Sequence, residues 1–313
     1  MTKITRLGGL VLALLLSAFT RDASAEIQTL HIGIQKYGTL IVLEASGALD
    51  KRLKPLGIDV AWTEFASGPP LLEAMNAGSI DFGITGEAPP VFAQAAGIPF
   101  VYVGFEPPAP AGEAILIPKE SPVHSLSDLK AKRVAFNKGS NVHFFLVEAL
   151  AHAGLEITDV DPAYLAPADA RAAFERGSVD AWVIWDPYLA AGQAATQARV
   201  LSDGTGLVKN YQFYLAAKSF VAAHPDVLRV VLEEIGKTDA WAATHQADVA
   251  QLLVPKTGLP VDVLRTSLAR LAYGVAPLDP TVVAYQQRVA DTFSKLGIIP
   301  KTLSVKDVVW PVE

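Results

Sequence analysis

The stretch Gly78–Pro90 constrains the fold of this chain most strongly. It opens with Gly78-Ser79, which follow a helical pattern, and glycine is the usual left-handed residue that ends a helix. A buried strand is predicted at Ile80–Ile84, and Thr85-Gly86-Glu87 predicts a sharp turn after it. Pro89-Pro90 suit the first turn of a new helix, where the missing N–H would have no partner. Backbone N–H groups therefore gather at the carboxyl end of a strand, where α/β sheets bind ligands and a helix N-terminus favours an anion.

The layout of this stretch recurs in the second half of the chain. Residues Arg171–Tyr188 follow the order of Leu72–Pro89: a helical pattern, a Gly-Ser stop, an apolar residue and Asp, a strand, an acidic residue and Pro. Because Gly and Ser end many helices, one such match can also arise by chance. The repeated arrangement predicts two lobes of similar α/β architecture.

The first 25 residues have the pattern of a secretory signal peptide. Lys3 and Arg6 precede the apolar run Leu7–Ala18, and the small residues Ala23-Ser24-Ala25 stand before Glu26. This apolar run is shorter than the roughly 18 to 20 residues that a membrane-spanning helix needs. The alternative is an N-terminal helix buried in the fold. We predict cleavage after residue 25 and export to the periplasm.

Composition narrows the class of the exported chain. The full sequence of 313 residues carries a net charge of −6, and removal of three basic residues and one acidic residue with the signal peptide takes this charge to −8. Such a charge does not favour nucleic acid. The sequence has no Cys, so it offers no disulfide, no thiol nucleophile and no lipid-modified Cys. We expect a monomeric globular protein that is not a lipoprotein.

Strand and helix patterns alternate along the chain and predict an α/β fold with a sheet flanked by helices in each lobe. In the first lobe this alternation implies parallel strands with right-handed crossovers. Pro107–Gly112 marks a crossing to the second lobe, and the extended stretch Tyr211–Ala217 marks the return. Two crossings between two lobes describe a hinge with a cleft. The predicted domains are residues 1–25 as signal peptide, 26–112 with 214–313 as the first lobe, and 113–213 as the second lobe.

Motifs for catalysis or metal binding are absent from the sequence. It contains no Gly-x-Ser-x-Gly elbow, phosphate-binding loop, dinucleotide fingerprint or His-Glu-x-x-His, and its six His residues are scattered. We therefore predict no catalytic residue, no metal and no cofactor. The enzymatic alternative would need a pair such as His143 and Glu87 across the cleft for acid-base work.

Four polar turns at predicted strand ends supply candidate ligand-binding groups. These turns are Gln35-Lys36, Ser67-Gly68, Thr85-Gly86-Glu87 and Gly139-Ser140-Asn141. Each can direct N–H or hydroxyl groups into one crevice, and for each the alternative is ordinary capping of the following helix. Convergence of the four turns at one crevice favours binding.

Individual side chains near these turns have competing interpretations. Glu87 and Asp186 lie where negative charge stabilises a helix N-terminus, so capping is the first interpretation, and Glu87 can also repel unwanted ligands. His143 is either an ordinary polar residue at a helix start or a cleft residue. Trp185 either packs in the core or covers the apolar part of a ligand.

These motifs resemble those of a known transport family. The segments are Leu30–Lys36, Ser67–Pro70, Gly83–Pro90, Lys138–Asn141 and Ile184–Tyr188. The chain resembles the aliphatic-sulfonate-binding proteins of bacterial ABC importers, within the wider nitrate, sulfonate and taurine group of periplasmic binding proteins. Ile84 stands where this family often has Asp.

The resemblance implies a type II periplasmic binding protein that closes on an alkanesulfonate and delivers it to an ABC permease for sulfur uptake. Taurine, nitrate or another small organic anion is the alternative ligand, and an enzyme similar to pyrimidine-precursor synthases or dehydratases is the alternative class. The implied ligand-binding residues are Gln35, Ser67, Gly68, Thr85, Gly86, Ser140 and Asn141 around the sulfonate and Trp185 at its tail, with Glu87 and His143 beside them.

Overall fold

The computed structural model describes residues 27–311 as two five-stranded sheets with helices on their faces. The predicted signal peptide lies outside the described residues. The strands are β1 Thr29–Ile34, β2 Asp59–Glu64, β3 Phe82–Gly86, β4 Phe100–Glu106, β5 Glu113–Ile117, β6 Arg133–Phe136, β7 Asp161–Tyr164, β8 Ala181–Trp185, β9 Arg199–Asp203 and β10 Gln212–Ala217.

Helices connect and cover these strands. They are α1 Thr39–Ser46, α2 Ala48–Leu53, α3 Gly68–Asn76, α4 Pro89–Ala96, α5 Asn141–His152, α6 Pro167–Glu175, α7 Tyr188–Thr196, α8 Lys218–Ala223, α9 Pro225–Thr244, α10 Gln246–Thr257, α11 Val261–Leu268 and α12 Pro280–Lys295. Within residues 27–311, no helix combines the length and the apolar composition needed to cross a membrane.

The two sheets have the same topology. The order is β2-β1-β3-β10-β4 in the first sheet and β7-β6-β8-β5-β9 in the second. One strand in each sheet is antiparallel to both of its neighbours. In the first sheet it is β10, between β3 and β4, and in the second it is β5, between β8 and β9. Each of these two strands follows a crossing between the lobes. The predicted two-lobed α/β fold is confirmed, but the expectation of purely parallel strands is wrong because each sheet takes in this crossing strand.

The repeated Gly-Ser-apolar-Asp segment has one structural role in the two lobes. Asp81 Oδ2 accepts a hydrogen bond from the backbone N–H of His31 at 2.9 Å, and Asp180 Oδ2 accepts one from the N–H of Arg133 at 2.8 Å. The N–H of each Asp donates in turn to the carbonyl of the same partner. Each Asp thus ties the end of a helix to the neighbouring parallel strand.

Several element boundaries differ from the sequence patterns. The pattern over Thr39–Leu56 predicts one helix, but Gly47 adopts a left-handed conformation (φ 62°) and separates α1 from α2. The pattern over Pro225–Val254 is divided at His245. Strand β3 continues to Gly86 because Phe213 and Gln212 of β10 pair with Thr85 and Gly86. The predicted turn therefore begins only at Glu87.

Candidate functional site

A small cavity lies between the two lobes at the carboxyl ends of β1, β3 and β8. Its walls are Gln35, Tyr37, Gly68, Gly86, Pro89 and Gln212 from elements of the first sheet, with Asn141 and Trp185 from the second. The cavity volume is about 10 Å³, which is close to the smallest space that can hold one water molecule. The two lobes are therefore closed against each other at this point.

Three helices begin at the wall of this cavity. Gly68 is the first residue of α3, Pro89 of α4 and Asn141 of α5. None of these three helix starts receives a hydrogen bond from a capping side chain, so the capping interpretation of the polar turns is wrong here. The positive ends of three helix dipoles converge on one small space, which favours a negatively charged group.

Gly86 allows the closest approach between the lobes. A Cβ atom at this position would lie 2.8 Å from Asn141 Cβ and 3.0 Å from Asn141 Cγ, and Asn141 belongs to the opposite lobe. Contacts shorter than 3 Å do not occur between real Cβ atoms and carbon. Glycine is therefore required if the lobes are to meet as they do.

Tyr37 contributes a hydroxyl group whose hydrogen-bonding capacity is unused. The side chain is 7% exposed, and within residues 27–311 its hydroxyl finds no hydrogen-bond partner. Burial raises the pKa of Tyr37 well above its ordinary value, and the carboxylate of Glu106 adds to this effect. Tyr37 therefore stays protonated and can donate a hydrogen bond to an anion.

The predicted amide donors have partners inside the protein. Gln35 Nε2 donates to the carbonyl of Ile84 at 2.9 Å. Asn141 Nδ2 donates to Glu113 Oε2 at 2.7 Å and to Asn210 Oδ1 at 3.1 Å. The side-chain N–H groups of Asn141 are thus engaged, and this residue offers the cavity its backbone N–H at the start of α5.

The three predicted hydroxyl residues are buried beside the cavity but do not form its wall. Ser140 Oγ donates to the carbonyl of Asn137 at 2.7 Å, and Thr85 Oγ1 donates to the carbonyl of Gly86 at 3.1 Å. Ser67 is 3% exposed and precedes Gly68. The hydroxyl groups of Thr85 and Ser140 thus bond to the backbone near the helix starts.

Glu87 is fully buried behind the cavity, and its carboxylate does not cap α4. Its Oε2 accepts the backbone N–H of Tyr211 at 3.0 Å, and its Oε1 accepts the hydroxyl of Tyr285 at 3.1 Å. Burial raises the pKa of Glu87 to about 8. The interpretation of Glu87 as a helix cap is wrong because its side chain extends toward β10 and α12.

His143 lies in an aromatic cluster between the lobes. Its ring lies 6.2 Å from Phe92, 5.2 Å from Phe136 and 5.3 Å from Phe293, measured between ring centroids. Its Nδ1 accepts the backbone N–H of Gly139 at 3.3 Å, and burial lowers the pKa of His143 to about 4. It is a neutral packing residue, and no hydrogen bond joins it to Glu87.

Trp185 and Asp186 have different roles at the end of β8. Trp185 is 5% exposed and forms part of the cavity wall, so it belongs to the core and to the cleft at the same time. Asp186 Oδ1 accepts the N–H of Ala190 in the first turn of α7 at 3.0 Å. Its carboxylate also lies 3.2 Å from Arg270 Nη1. The helix-capping interpretation of Asp186 is confirmed.

Sequence reasoning missed three of the wall residues and one neighbour. Gln212 begins β10 opposite Gly86, and Glu113 begins β5 opposite Trp185. These two buried polar residues occupy matching positions in the two sheets, and Glu113 Oε1 has no partner within the described chain. Tyr37 directly follows the polar turn Gln35-Lys36, and Pro89 comes two residues after Glu87, which was the available signal. For Gln212 and Glu113 no local pattern indicated a place in the cleft.

The wall of this cavity offers hydrogen-bonding groups and aromatic surface. Its wall contains amide groups, a phenol, an indole and helix starts, and it includes neither Lys nor Arg. Within residues 27–311, no group of three His, Asp or Glu side chains is arranged to hold a metal ion.

Comparison with known proteins places this architecture in a family. The NMT1/THI5-like family model matches residues 54–249. An aliphatic-sulfonates-binding protein of Escherichia coli (strain K12) is 43% identical over 96% of this chain and 95% of its own length. A second, from Bacillus subtilis (strain 168), is 33% identical over 91% of this chain and 86% of its own length.

A solved structure agrees with this comparison. The alkanesulfonate-binding protein SsuA from Xanthomonas axonopodis pv. citri, bound to MOPS, superposes with a TM-score of 0.88 and 40% identity, over 92% of this chain and 100% of that chain. The chain therefore belongs to the NMT1/THI5-like family and, within it, to the group of the aliphatic-sulfonate-binding proteins.

Proposed function

We propose that this protein captures alkanesulfonates in the cleft between its lobes. The observation that carries the proposal is the convergence of three uncapped helix starts, at Gly68, Pro89 and Asn141, on one cavity. A sulfonate is ionised at any biological pH and offers only acceptors, so it needs N–H and O–H donors and no catalytic base. Several charge-assisted hydrogen bonds of about 1.5–3 kcal/mol each support micromolar or tighter binding after the cost of association.

The assignment of residues to the ligand follows from the wall of the cavity. The sulfonate head would accept hydrogen bonds from Tyr37 and from the backbone N–H groups at Gly68 and Asn141. Gln35 and Gln212 would border the head. Trp185 would cover the first carbons of the organic tail with its ring. Thr85 and Ser140 would hold the surrounding backbone, Ser67 would precede the helix start at Gly68, and Glu87 and His143 would act from behind the cavity without touching the ligand.

The ligand would bind as the lobes close. Residues 26–112 with 214–313 and residues 113–213 would move as two bodies about the crossings, and the ligand would stabilise the closed arrangement by its higher affinity for it. The closed protein would then dock, as a monomer of the periplasm without a lipid anchor, on the permease of an ABC importer. Residues 1–25 would direct the export.

A binding role also accounts for the site better than catalysis does. Acid-base chemistry by His143 and Glu87 would require the two side chains to meet across the cleft. His143 instead packs among Phe92, Phe136 and Phe293, and Glu87 is bonded to Tyr211 and Tyr285. We therefore propose a protein without catalytic turnover.

The experiment is titration calorimetry of residues 26–313 with alkanesulfonates, MOPS, taurine, nitrate and sulfate, together with thermal unfolding. We expect alkanesulfonates to bind tightest and to raise the melting temperature. Tyr37→Phe should weaken the binding of ethanesulfonate by about tenfold, the effect of losing one charge-assisted hydrogen bond. Gln28→Ala, at the exposed start of the segment that leads into β1, is the matched control.

Two outcomes would overturn the proposal. One is the absence of heat and of any thermal shift with every sulfonate. The other is tighter binding of nitrate or sulfate than of any alkanesulfonate, because these ions lack the organic tail that Trp185 would cover. Tighter binding of taurine than of ethanesulfonate would identify taurine as the ligand, and the protein would still be a receptor for organic sulfonates.

A further inference from the structure

The second crossing between the lobes contains a buried asparagine with a left-handed backbone. Asn210 lies in the irregular segment between β9 and β10, is 0% exposed and has φ 52°. Within residues 27–311, the other non-glycine residues with positive φ are Ala131 and Gln197, and both are exposed. Asparagine tolerates this conformation better than most residues, because its short polar side chain can form hydrogen bonds nearby. The position therefore combines an unusual backbone with a polar side chain that needs partners inside the protein.

The Asn210 side chain joins the two crossings to each other. Its Nδ2 donates to the carbonyl of Ala109, in the first crossing, at 2.9 Å. The backbone adds a second bond between the same segments, from the N–H of Ala109 to the carbonyl of Lys209 at 3.1 Å. Gly112 packs directly beside the Asn210 amide, and a Cβ there would lie 3.4 Å from Nδ2. The two crossings are thus tied together at Asn210.

The same side chain also holds two residues of the cavity wall. Asn210 Oδ1 accepts hydrogen bonds from Asn141 Nδ2 at 3.1 Å and from Gln212 Nε2 at 3.3 Å. Asn141 begins α5 in the second lobe, and Gln212 begins β10 in the first sheet. Asn141 Nδ2 is held from another side by Glu113 Oε2 at 2.7 Å. One amide group therefore connects the two crossings with a wall residue on each side of the cleft.

We propose that Asn210 is a positioning residue for sulfonate binding, which fixes Asn141 and Gln212 in the cavity wall and couples their placement to the crossings. This inference rests on the proposed function, since the ligand concerned is the same sulfonate. Hinge movements change the backbone at a few residues near the ends of elements, and Asn210 stands two residues before β10 begins. Closure that brings Asn141 against Gly86 completes the bonds of Asn210, and opening of the lobes separates their partners.

The test begins with Asn210→Gly, which removes the three side-chain bonds and keeps a residue that readily adopts φ 52°. We expect the affinity for ethanesulfonate, measured by calorimetry on residues 26–313, to fall by about tenfold, the effect of losing one well-placed hydrogen bond. Ala131→Gly is the matched control, because it places glycine at an exposed left-handed position (φ 57°) of the second lobe and should leave the affinity unchanged. Unchanged affinity in Asn210→Gly would overturn the inference.

A double-mutant cycle separates positioning from a loss of stability alone. Asn141→Ala removes the partner amide but keeps the backbone N–H at the start of α5. Since Asn210 is inferred to act through Asn141, Asn210→Gly should weaken binding by less than about threefold in the Asn141→Ala background. The same tenfold loss in both backgrounds would show that the two residues act independently, and it would contradict the inference.

Hydrogen exchange in the unmodified protein keeps the test decisive if Asn210→Gly fails to fold. We expect NMR to show that exchange of the Asn210 side-chain amide slows by at least about fivefold on saturation with ethanesulfonate, because closure completes its bonds. The amide of Asn76, exposed at the end of α3, is the control and should not change. Equal protection of Asn210 with and without ethanesulfonate would overturn the inference, although binding of ethanesulfonate would still support the proposed function. Failure of the unmodified protein to bind any sulfonate would instead defeat the proposed function first.

Discussion

The ends of strands β3 and β8 are equivalent positions in two lobes of equal topology, and they carry different side chains. Gly86 ends the strand in the first lobe and Glu87 follows it, whereas Trp185 ends the strand in the second lobe and Asp186 follows it. The backbone before them is held in the same way, by Asp81 and by Asp180. The difference thus lies in the side chains at the cleft and not in the fold that presents them.

The two acidic residues show what this difference does. Glu87 accepts hydrogen bonds from neutral groups, the N–H of Tyr211 and the hydroxyl of Tyr285. Asp186 is paired with a cation, Arg270, which lies in the segment after α11. Burial raises the pKa of Glu87 to about 8 and that of Asp186 only to about 6, since Arg270 opposes the rise. The Glu87 carboxyl group thus accepts hydrogen bonds inside the protein, whereas the Asp186 carboxylate forms an ion pair between the lobes.

The largest effect is expected from Gly86→Ala, which makes one strand end more like the other. The new Cβ would stand 2.8 Å from Asn141 Cβ and would hold the lobes apart. We expect sulfonate affinity to fall by about a hundredfold, or about 2.8 kcal/mol, as measured by calorimetry. Gly236→Ala in α9 is the control, because a Cβ there meets only Val275 Cγ1, at 3.4 Å. Unchanged affinity in Gly86→Ala would show that closure does not bring these residues together.

A smaller effect is expected from Arg270→Ala, which removes the cation from Asp186. Without Arg270 the pKa of Asp186 rises further, and the folded protein must hold an unpaired buried carboxylate at alkaline pH. We expect a loss of about 2 kcal/mol in the free energy of unfolding at pH 8, below the cost for a fully buried pair because Arg270 is partly exposed, and a smaller loss at pH 5. Arg265→Ala is the control, because Arg265 pairs with Asp262 at the surface. Equal losses for the two variants at pH 8 would contradict the comparison.

The smallest effect, and one of opposite sign, is expected from Glu87→Gln. Below a pH of about 4.5, Glu87 is protonated in the folded and in the unfolded chain, so it does not change stability with pH. Between that pH and about 8 the unfolded chain ionises first, and the folded state loses stability as pH rises. Glutamine cannot ionise, so the variant should gain about 1–2 kcal/mol over the unmodified protein at pH 9 and almost nothing at pH 4. Thermal unfolding across this range measures the difference, and a gain that is independent of pH would refute the cause.

Local sequence signals predicted much of the architecture. Strands β5 and β6 begin and end where the pattern of branched and aromatic residues places them, and α4 begins at Pro89 and ends before Gly97 as the Pro and Gly signals indicate. The repeated Gly-Ser-apolar-Asp segment predicted two similar lobes. These features depend on interactions between residues that are close in the chain, which is why sequence patterns predict them.

The cleft was predicted only in part. Gln35, Gly68, Gly86, Asn141 and Trp185 come together at one cavity, as expected from their places at strand ends. The hydrogen-bond partners of the buried polar residues were not predictable, because they come from distant segments of the chain. Asn141 bonds to Glu113 and Asn210, and Glu87 accepts hydrogen bonds from Tyr211 and Tyr285.

The sequence by itself determined two α/β lobes, a pair of matching strand ends and a set of small and polar residues beside them, because helix stops, strand patterns and prolines act locally. Only the tertiary structure decided which of these residues face the cleft. The reason is that β10 and β5 cross between the lobes and insert antiparallel, which places Gln212 opposite Gly86 and Glu113 opposite Trp185. It also brings Asn141 against Gly86 and Arg270 against Asp186, two contacts between lobes that no local pattern contains.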